Sequence, residues 1–328
     1  MRILLTGGAG FLGSHLGDAL LSQGHHVIAV DNLLTGCMDN IQHLARDSRF
    51  DFHELDICEP FDYGPIDYLF HFASPAAPVD YMVHGIATLR TGSYGTFNAL
   101  NLAHKYGAKF LLGSASEVYG DPHANPQRED YWGNANPISE RSVYTQAKRL
   151  SEAATVAYRR YYNLDTRIVR IFHTYGPRMN FDGGGMISEF IKNSLSGADI
   201  VIYGDGTRIR SLTYVSDTID GILRVAHSYE HEPVNIGRAE QITVLECAQQ
   251  ILAITGSDSK IRFAEPQPDD PKQRAPDITK ARKLLGWEPK VNFPTGLQRT
   301  IDYFRRKQCA DLKARNILDK YEGVTRAI

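Results

Sequence analysis

The four cysteines, Cys37, Cys58, Cys247 and Cys309, are scattered and form no CxxC pair, which excludes a zinc ribbon and a disulfide-stapled scaffold. The twelve histidines show no HxH or HExxH spacing, so no metal site is expected. No run approaches the ~18 consecutive apolar residues of a membrane-spanning helix. Arg2-Ile3-Leu4-Leu5-Thr6 leads straight into glycines, not into a leader with a small-residue cleavage site. Neither sign of charge is in excess: 36 Lys and Arg against 38 Asp and Glu leave a net charge of -2 over 328 residues. That balance excludes a general polyanion binder, and neither nucleic acid nor a membrane is expected as a partner. A cytoplasmic protein with a self-sufficient core is the expectation.

What is present is alternation. Short apolar runs at 2–6, 26–30, 50–54, 67–71, 109–113 and 166–171 read as strands, with helical patterns between most of them. Strands alternating with helices argue for a parallel sheet covered on both faces by right-handed crossovers, an α/β, Rossmann-like doubly wound fold. After Tyr175-Gly176-Pro177 the pattern loosens into Gly183-Gly184-Gly185 and a proline-rich stretch over 265–276. The expected division is a dinucleotide-binding domain over 1–175 and a smaller, interleaved C-terminal substrate domain over 176–328. Runs at 211–215 and 233–236 are expected to return to the main sheet, and the charged tail 305–328 is read as a surface appendage.

The run Thr6-Gly7-Gly8-Ala9-Gly10-Phe11-Leu12-Gly13 places Gly7, Gly10 and Gly13 three apart, at the first strand-to-helix turn. A pyrophosphate lies on a helix N-terminus only if the backbone approaches closely, which side chains at Gly7 and Gly10 prevent, while Gly13 lets helix and strand pack. Asp31 closes the second strand, where a carboxylate accepts hydrogen bonds from a ribose and repels an added 2'-phosphate. NAD is therefore expected over NADP. Asp56-Ile57, after the third strand, reads as an adenine contact or as an ordinary turn.

Tyr144 and Lys148 stand four apart in Ser142-Val143-Tyr144-Thr145-Gln146-Ala147-Lys148, on one helix face. An ammonium beside a phenol favours the phenolate, so Lys148 is expected to lower the Tyr144 pKa and make it a general base toward a sugar hydroxyl. A second such pair, Tyr303 and Lys307, lacks this placement and is read as structural. The apolar stripe Val143, Ala147, Leu150, Ala154, Ala157, Tyr158 and Tyr161 is expected to face the core or a partner subunit.

Together with the strand end Leu112-Gly113-Ser114-Ala115-Ser116-Glu117-Val118-Tyr119-Gly120, these motifs resemble the extended short-chain dehydrogenase/reductase family over nearly all of residues 1–308. A narrower resemblance, to the UDP-glucuronate decarboxylases of that family, rests on Ser116-Glu117-Val118-Tyr119-Gly120-Asp121-Pro122, Glu129-Asp130-Tyr131-Trp132-Gly133 and Ala73-Ser74-Pro75-Ala76. It also rests on Gly176-Pro177-Arg178-Met179, Arg274-Ala275-Pro276-Asp277-Ile278 and Leu285-Gly286-Trp287-Glu288-Pro289. The resemblance implies an NAD-dependent enzyme that oxidises carbon 4 of UDP-glucuronate, releases carbon dioxide from the β-keto acid and re-reduces the product to UDP-xylose. It implies cofactor contacts from Phe11, Leu12, Asn32, Thr35, Gly36, Asp56, Ile57, Phe72, Ser74, Thr91 and Thr174, beside the glycines, Asp31, Tyr144 and Lys148. It assigns Glu117 and Ser116 to decarboxylation and proton return, and Arg141, Arg210 and Arg274 to the sugar carboxylate and phosphates. Pro75, Tyr81 and His173 join the substrate contacts, with Arg210 also counted as catalytic. A homodimer joined by helices over 88–106 and 142–162 as a four-helix bundle is implied as well.

Five positions depart from that pattern. Ala115 stands where the family places a serine or threonine on the reacting carbon-4 oxygen, Thr145-Gln146 replaces an acidic pair, His173 an asparagine, and Gly185 an arginine. Losing one oriented hydroxyl is expected to cost about 10- to 1000-fold in rate, with Ser114 and Ser116 as possible substitutes. A UDP-glucuronate 4-epimerase, another nucleotide-sugar epimerase or dehydratase, and a low-activity NAD and nucleotide-sugar binder are the alternatives. Within them a 4,6-dehydratase is disfavoured, because Ser116-Glu117 stands where that group resembles an Asp-Glu pair.

Overall fold

The computed structural model describes residues 1–181, 185–266 and 273–308. Seven parallel strands form the central sheet: β1 (Arg2–Thr6), β2 (His26–Asp31), β3 (Phe50–Glu54), β4 (Tyr68–His71), β5 (Lys109–Ala115), β6 (Thr166–Ile171) and a seventh, Val234–Ile236. Their order is β3-β2-β1-β4-β5-β6-seventh, every neighbour parallel. The inner strands are apolar on both faces because both faces are covered, as Ile3, Leu4 and Leu5 illustrate with no exposed surface. The chain runs outward from β1 to β3 and then returns to β4. The crevice between the carboxyl ends of β1 and β4 is therefore a topological switch point, where sheets of this kind receive ligands.

One apolar core crosses the expected boundary at residue 175, joining Ile3 and Leu5 of β1 to Val225, Leu297, Ile301 and Phe304. The helix Val215–His227 lies against helix Phe11–Ser22 and β6. Trp287 pins the following segment to it, buried and donating from Nε1 to the Asp217 carbonyl at 3.1 Å. The helical run 293–308 buries Leu297, Ile301 and Phe304 at helical spacing.

The run at 233–236 joins the sheet, as expected, but 211–215 does not. Thr213–Tyr214 pairs with Thr174–Tyr175 in a separate two-stranded ladder, and Val215 already begins the helix. Helical spacing of Ile219, Ile222, Val225 and Ala226, with Asp217 in the first turn, outweighs the β-propensity of the preceding residues. Gly183, Gly184, much of the proline-rich stretch (267–272) and the tail from 309, with Cys309, lie outside the described residues. Among the described residues no helix is long and apolar enough to cross a membrane, and no cluster of metal-ligating side chains occurs.

Candidate active site

A cleft of about 910 Å³ opens over the switch point. Its floor at one end is the glycine turn, where Gly7 N donates to the Val30 carbonyl at 2.8 Å and Gly10 N to the Gly7 carbonyl at 3.1 Å. Gly7 has φ +74, a left-handed conformation that favours glycine. A Cβ on Gly13 would lie 1.9 Å from the Gly7 carbonyl oxygen, so only glycine fits there. The helix that follows, Phe11–Ser22, has no side-chain cap at its start, leaving the first-turn N–H groups open to an anion. Asp31 ends β2 and accepts from Ala9 N at 3.0 Å and Leu33 N at 2.9 Å. Burial raises its pKa against the pull of those backbone donors. It thus orders its own loop and lines the cleft as well. An uncapped helix start, a backbone that admits close approach and a ribose-facing carboxylate fit NAD.

At the other end β5 carries its last residues past the sheet and turns at Ser116–Tyr119. The long helix Ser142–Tyr162 lies beside it. Tyr144 is buried, with its ring stacked on that of Tyr81 at 5.1 Å between centroids and 4° between planes. Ala115 packs into the same small apolar cluster. Lys148 Nζ sits 5.6 Å from the Tyr144 ring centroid and donates to the Gly113 carbonyl at 2.9 Å. Burial lowers its pKa to about 8, against the upward pull of Glu117 and Glu152. The Tyr144 phenol is pushed well above its ordinary value, first by burial and then by the Glu117 carboxylate and Tyr81. The expected lowering by Lys148 is therefore corrected: the ammonium is over the ring and committed to a carbonyl, while the phenol is in an apolar cluster beside a carboxylate.

Glu117 is largely buried and ion-paired with Arg274. Burial alone would raise its pKa, but the guanidiniums of Arg274 and Arg141, with His173, hold it below the usual carboxylate value. Arg274 and Arg210 face each other across a parallel pair of short strands, Ile209–Arg210 and Gln273–Arg274. Arg141, at the start of the long helix, donates from Nε to the Tyr81 hydroxyl at 3.1 Å. Ser116 Oγ approaches Glu117 Oε2 at 3.4 Å.

Every residue singled out from the sequence for cofactor, substrate or catalysis lines this one cleft, with the exception of Tyr81. Gly10, Phe11, Leu12, Asn32, Thr35, Gly36, Asp56, Ile57, Phe72, Ser74, Thr91 and Thr174 line it together with Pro75, His173 and Arg210. Tyr81 is 1% exposed, stacked on Tyr144 and bonded through its hydroxyl to Arg141, which itself lines the cleft. Ser114 is no replacement for the hydroxyl missing at Ala115, because its Oγ donates to Glu152 at 2.6 Å. The Tyr303 and Lys307 pair, read as structural, lines the cleft, with Lys307 Nζ 3.3 Å from Asp39. Arg208, Arg178 and Glu189 also line it and were not anticipated. Strand alternation from Arg210 offered a signal for Arg208; nothing in the sequence marked Lys307. On the long helix Ala147 and Ala154 of the apolar stripe are buried, whereas Leu150 and Tyr161 are exposed.

Residues 4–300 match the GDP-mannose 4,6 dehydratase family. UDP-glucuronic acid decarboxylase 1 of Danio rerio is 46% identical over 306 residues, covering 93% of this chain and 73% of that protein. The UDP-glucose 4-epimerase of Thermotoga maritima, solved with UDP-glucose, has a TM-score of 0.87 at 31% identity and covers 94% of this chain and 100% of its own. The UDP-glucuronic acid 4-epimerase of Bacillus cereus, solved with UDP-glucuronic acid and NAD, has a TM-score of 0.82 at 30% identity, covering 93% and 99%.

Proposed function

We propose, because this chain belongs to the GDP-mannose 4,6 dehydratase family of extended short-chain dehydrogenases/reductases, that it converts UDP-glucuronate to UDP-xylose and carbon dioxide with NAD as a recycled cofactor. The observation that carries the reading is the Glu117 and Arg274 pair at the end of β5, in the same cleft as Tyr144 and Lys148. It sets a carboxylate and a guanidinium beside a phenol placed to move the proton of a sugar hydroxyl. Gly7, Gly10 and the start of helix Phe11–Ser22 would hold the pyrophosphate, and Asp31 the adenosine ribose. NAD bound there supplies the hydride acceptor for carbon 4 and the hydride donor that completes the cycle.

Tyr144 Oη must be the phenolate to take the proton of the carbon-4 hydroxyl, which it returns at the end; burial opposes that form, and the Lys148 ammonium over the ring favours it. Lys148 keeps a positive charge over the same ring at neutral pH and anchors the strand end through Gly113. With a ketone at carbon 4, the carboxylate on carbon 5 becomes that of a β-keto acid. The bond between carbon 5 and the carboxylate breaks, carbon dioxide leaves, and the electron pair passes to the ketone oxygen as an enolate. A proton then adds at carbon 5. Glu117, ionised in the resting site, holds the water that carries this proton, with Ser116 as its hydroxyl partner. Arg141, Arg210 and Arg274 engage the uronate carboxylate and the diphosphate, for which planar guanidinium forks are suited. Pro75 and His173 border the sugar.

The decisive experiment incubates the purified protein with UDP-glucuronate and NAD and follows products by NMR. UDP-xylose with carbon dioxide is the expected outcome. The 4-epimer with its carboxylate retained would replace this reading with that of an epimerase, the activity named for the similar Bacillus cereus enzyme. Ligand binding without turnover would make the chain a binding protein.

We further propose a cytoplasmic homodimer. The free thiols of Cys37, Cys58 and Cys247 suit a reducing compartment. Ile86, Tyr94 and Phe97 of the helical run 85–106 and Leu150 and Tyr161 of the adjoining long helix are exposed apolar side chains. Packing of these two helices on their copies makes the four-helix bundle, and light scattering at twice the chain mass is the expected result.

A further inference from the structure

Three residues stand in one row across three strands beside the cleft, and of these only Ser114 lines it. Ser114 of β5 is in register with Arg170 of β6, and Arg170 with Asn235 of the seventh strand. Side chains of residues in one row share a face of the sheet. Arg170 closes a two-pronged pair on Glu152 of the long helix, Nε to Oε1 at 2.9 Å and Nη2 to Oε2 at 2.7 Å. Ser114 Oγ donates to the same Oε1 at 2.6 Å. From its third nitrogen, Arg170 Nη1 donates to the Tyr119 hydroxyl at 2.9 Å and the Glu129 carbonyl at 3.0 Å. Tyr119 in turn donates to Asn235 Oδ1 at 2.8 Å.

The chain of bonds continues to the far wall of the site. Asn235 Nδ2 donates to the Gln127 carbonyl at 3.0 Å and the Asp277 carbonyl at 3.2 Å. Gln127, fully buried, accepts on Oε1 from Ala275 N at 2.8 Å, and its own N–H donates to the Ala275 carbonyl at 2.8 Å. Ala275 follows Arg274, which holds Glu117. At the near end, Glu152 lies one helical turn beyond Lys148, whose Nζ grips the carbonyl next to Ser114. Glu152, Arg170, Tyr119, Asn235 and Gln127 do not line the cleft.

We infer that the Arg170 and Glu152 pair is a positioning unit, which sets the helix bearing Tyr144 and Lys148 against the segment bearing Arg274. The inference rests on the proposed function in one respect: the two groups it aligns serve successive steps, proton transfer at carbon 4 and decarboxylation at carbon 5. Its fork geometry is what does the aligning. Arginine reaches both carboxylate oxygens and Tyr119 at once, which a lysine ammonium cannot do. The Glu152 charge also acts on Lys148.

The test compares Arg170→Lys, Ser114→Ala and their combination with the wild-type enzyme, measuring NAD affinity by fluorescence, Tm, kcat and KM. A shift of about 1 Å in a reacting group costs about 100-fold in rate. Arg170→Lys is therefore expected to lower kcat about 100-fold and Ser114→Ala about tenfold, with KM and NAD affinity within about twofold of wild type. Because both act through Glu152, the double variant should lose no more than Arg170→Lys alone. Wild-type kcat in the variants, a loss confined to KM, or losses that multiply independently would overturn the inference. Should Arg170→Lys fail to fold, Ser114→Ala decides alone: kcat lowered at constant KM supports it and unchanged kcat overturns it. Wild-type enzyme that yields the 4-epimer would refute the decarboxylase reading, while the same variants assayed on epimerisation would still test the positioning.

Discussion

Replacing Ala115 with serine should make the enzyme faster. The site has a phenol at Tyr144 but no hydroxyl beside it from β5. Ser114 Oγ is bonded to Glu152, and Ser116 Oγ is directed to Glu117. A single oriented donor to a developing oxyanion is worth about 2.7–4 kcal/mol. Ala115 is 7% exposed at the cleft wall, packed on Tyr144 and Tyr81, so a hydroxyl there gives up water on substrate binding at a cost of about 0.5–2 kcal/mol. The net gain is about 0.7–3.5 kcal/mol, or roughly 3- to 400-fold in kcat. Serine adds one oxygen at a position open to the cleft, so Tm should move by no more than a few degrees. The assay is UDP-xylose formation from UDP-glucuronate followed by NMR under saturating substrate, with Tm measured on the same protein. A folded Ala115→Ser variant whose kcat is unchanged or lower would refute the placement of the carbon-4 oxygen next to residue 115.

Tyr144→Phe keeps the ring stacked on Tyr81 but removes the proton-transferring oxygen. Its kcat should fall by about 100- to 10,000-fold with Tm unchanged, and a smaller loss would show that another group moves the proton. Lys148, with its pKa lowered to about 8 by burial, is charged below that pH and loses its charge as pH rises through it. The kcat profile should therefore fall above pH 8; a profile flat to pH 10 would remove the Lys148 charge from the mechanism. Glu117, held below its ordinary value by Arg274 and Arg141 against the upward push of burial, places the acid limb below the usual carboxylate range. Gly13→Ala would drive a Cβ to 1.9 Å from the Gly7 carbonyl. NAD affinity, measured by fluorescence or calorimetry, should fall by at least 100-fold, and wild-type affinity would show that this turn does not hold the pyrophosphate.

The parts of the site that were legible in the sequence are those governed by local backbone geometry. Gly7 and Gly13 announce themselves because no other residue suits a left-handed turn or a contact this close, and Tyr144 with Lys148 because four residues make one helical turn. Asp31 followed from its place at the end of β2. What depends on tertiary packing was not legible. The burial of Tyr81 and its stacking on Tyr144 are set by how the segment before the helical run packs on the long helix. The direction of the Tyr144 shift was missed for the same reason, since burial and the nearby Glu117 carboxylate outweigh the lysine. Register between strands is likewise tertiary, so the row of Ser114, Arg170 and Asn235 could not be read from three separate segments. Lys307 came to the cleft only through the packing of the helical run 293–308.

Ala115 and the raised Tyr144 pKa are one feature seen twice. A methyl group against the phenol withholds a hydrogen bond from the phenolate, and it also completes the apolar cluster whose burial favours the neutral phenol. Strand alternation separates that change from the Glu152 network, because Ser114, one residue earlier, is the residue bonded to Glu152. The departures from the resembled pattern at Ala115 and His173 likewise lie on the cleft wall, whereas the Arg170 and Glu152 pair lies off it. Chemistry at carbon 4 can therefore be retuned at residue 115 without loosening the alignment of Tyr144 with Arg274. A substitution at Ser114 does the reverse, leaving Ala115 and Tyr144 in place while removing the bond from the strand end to Glu152.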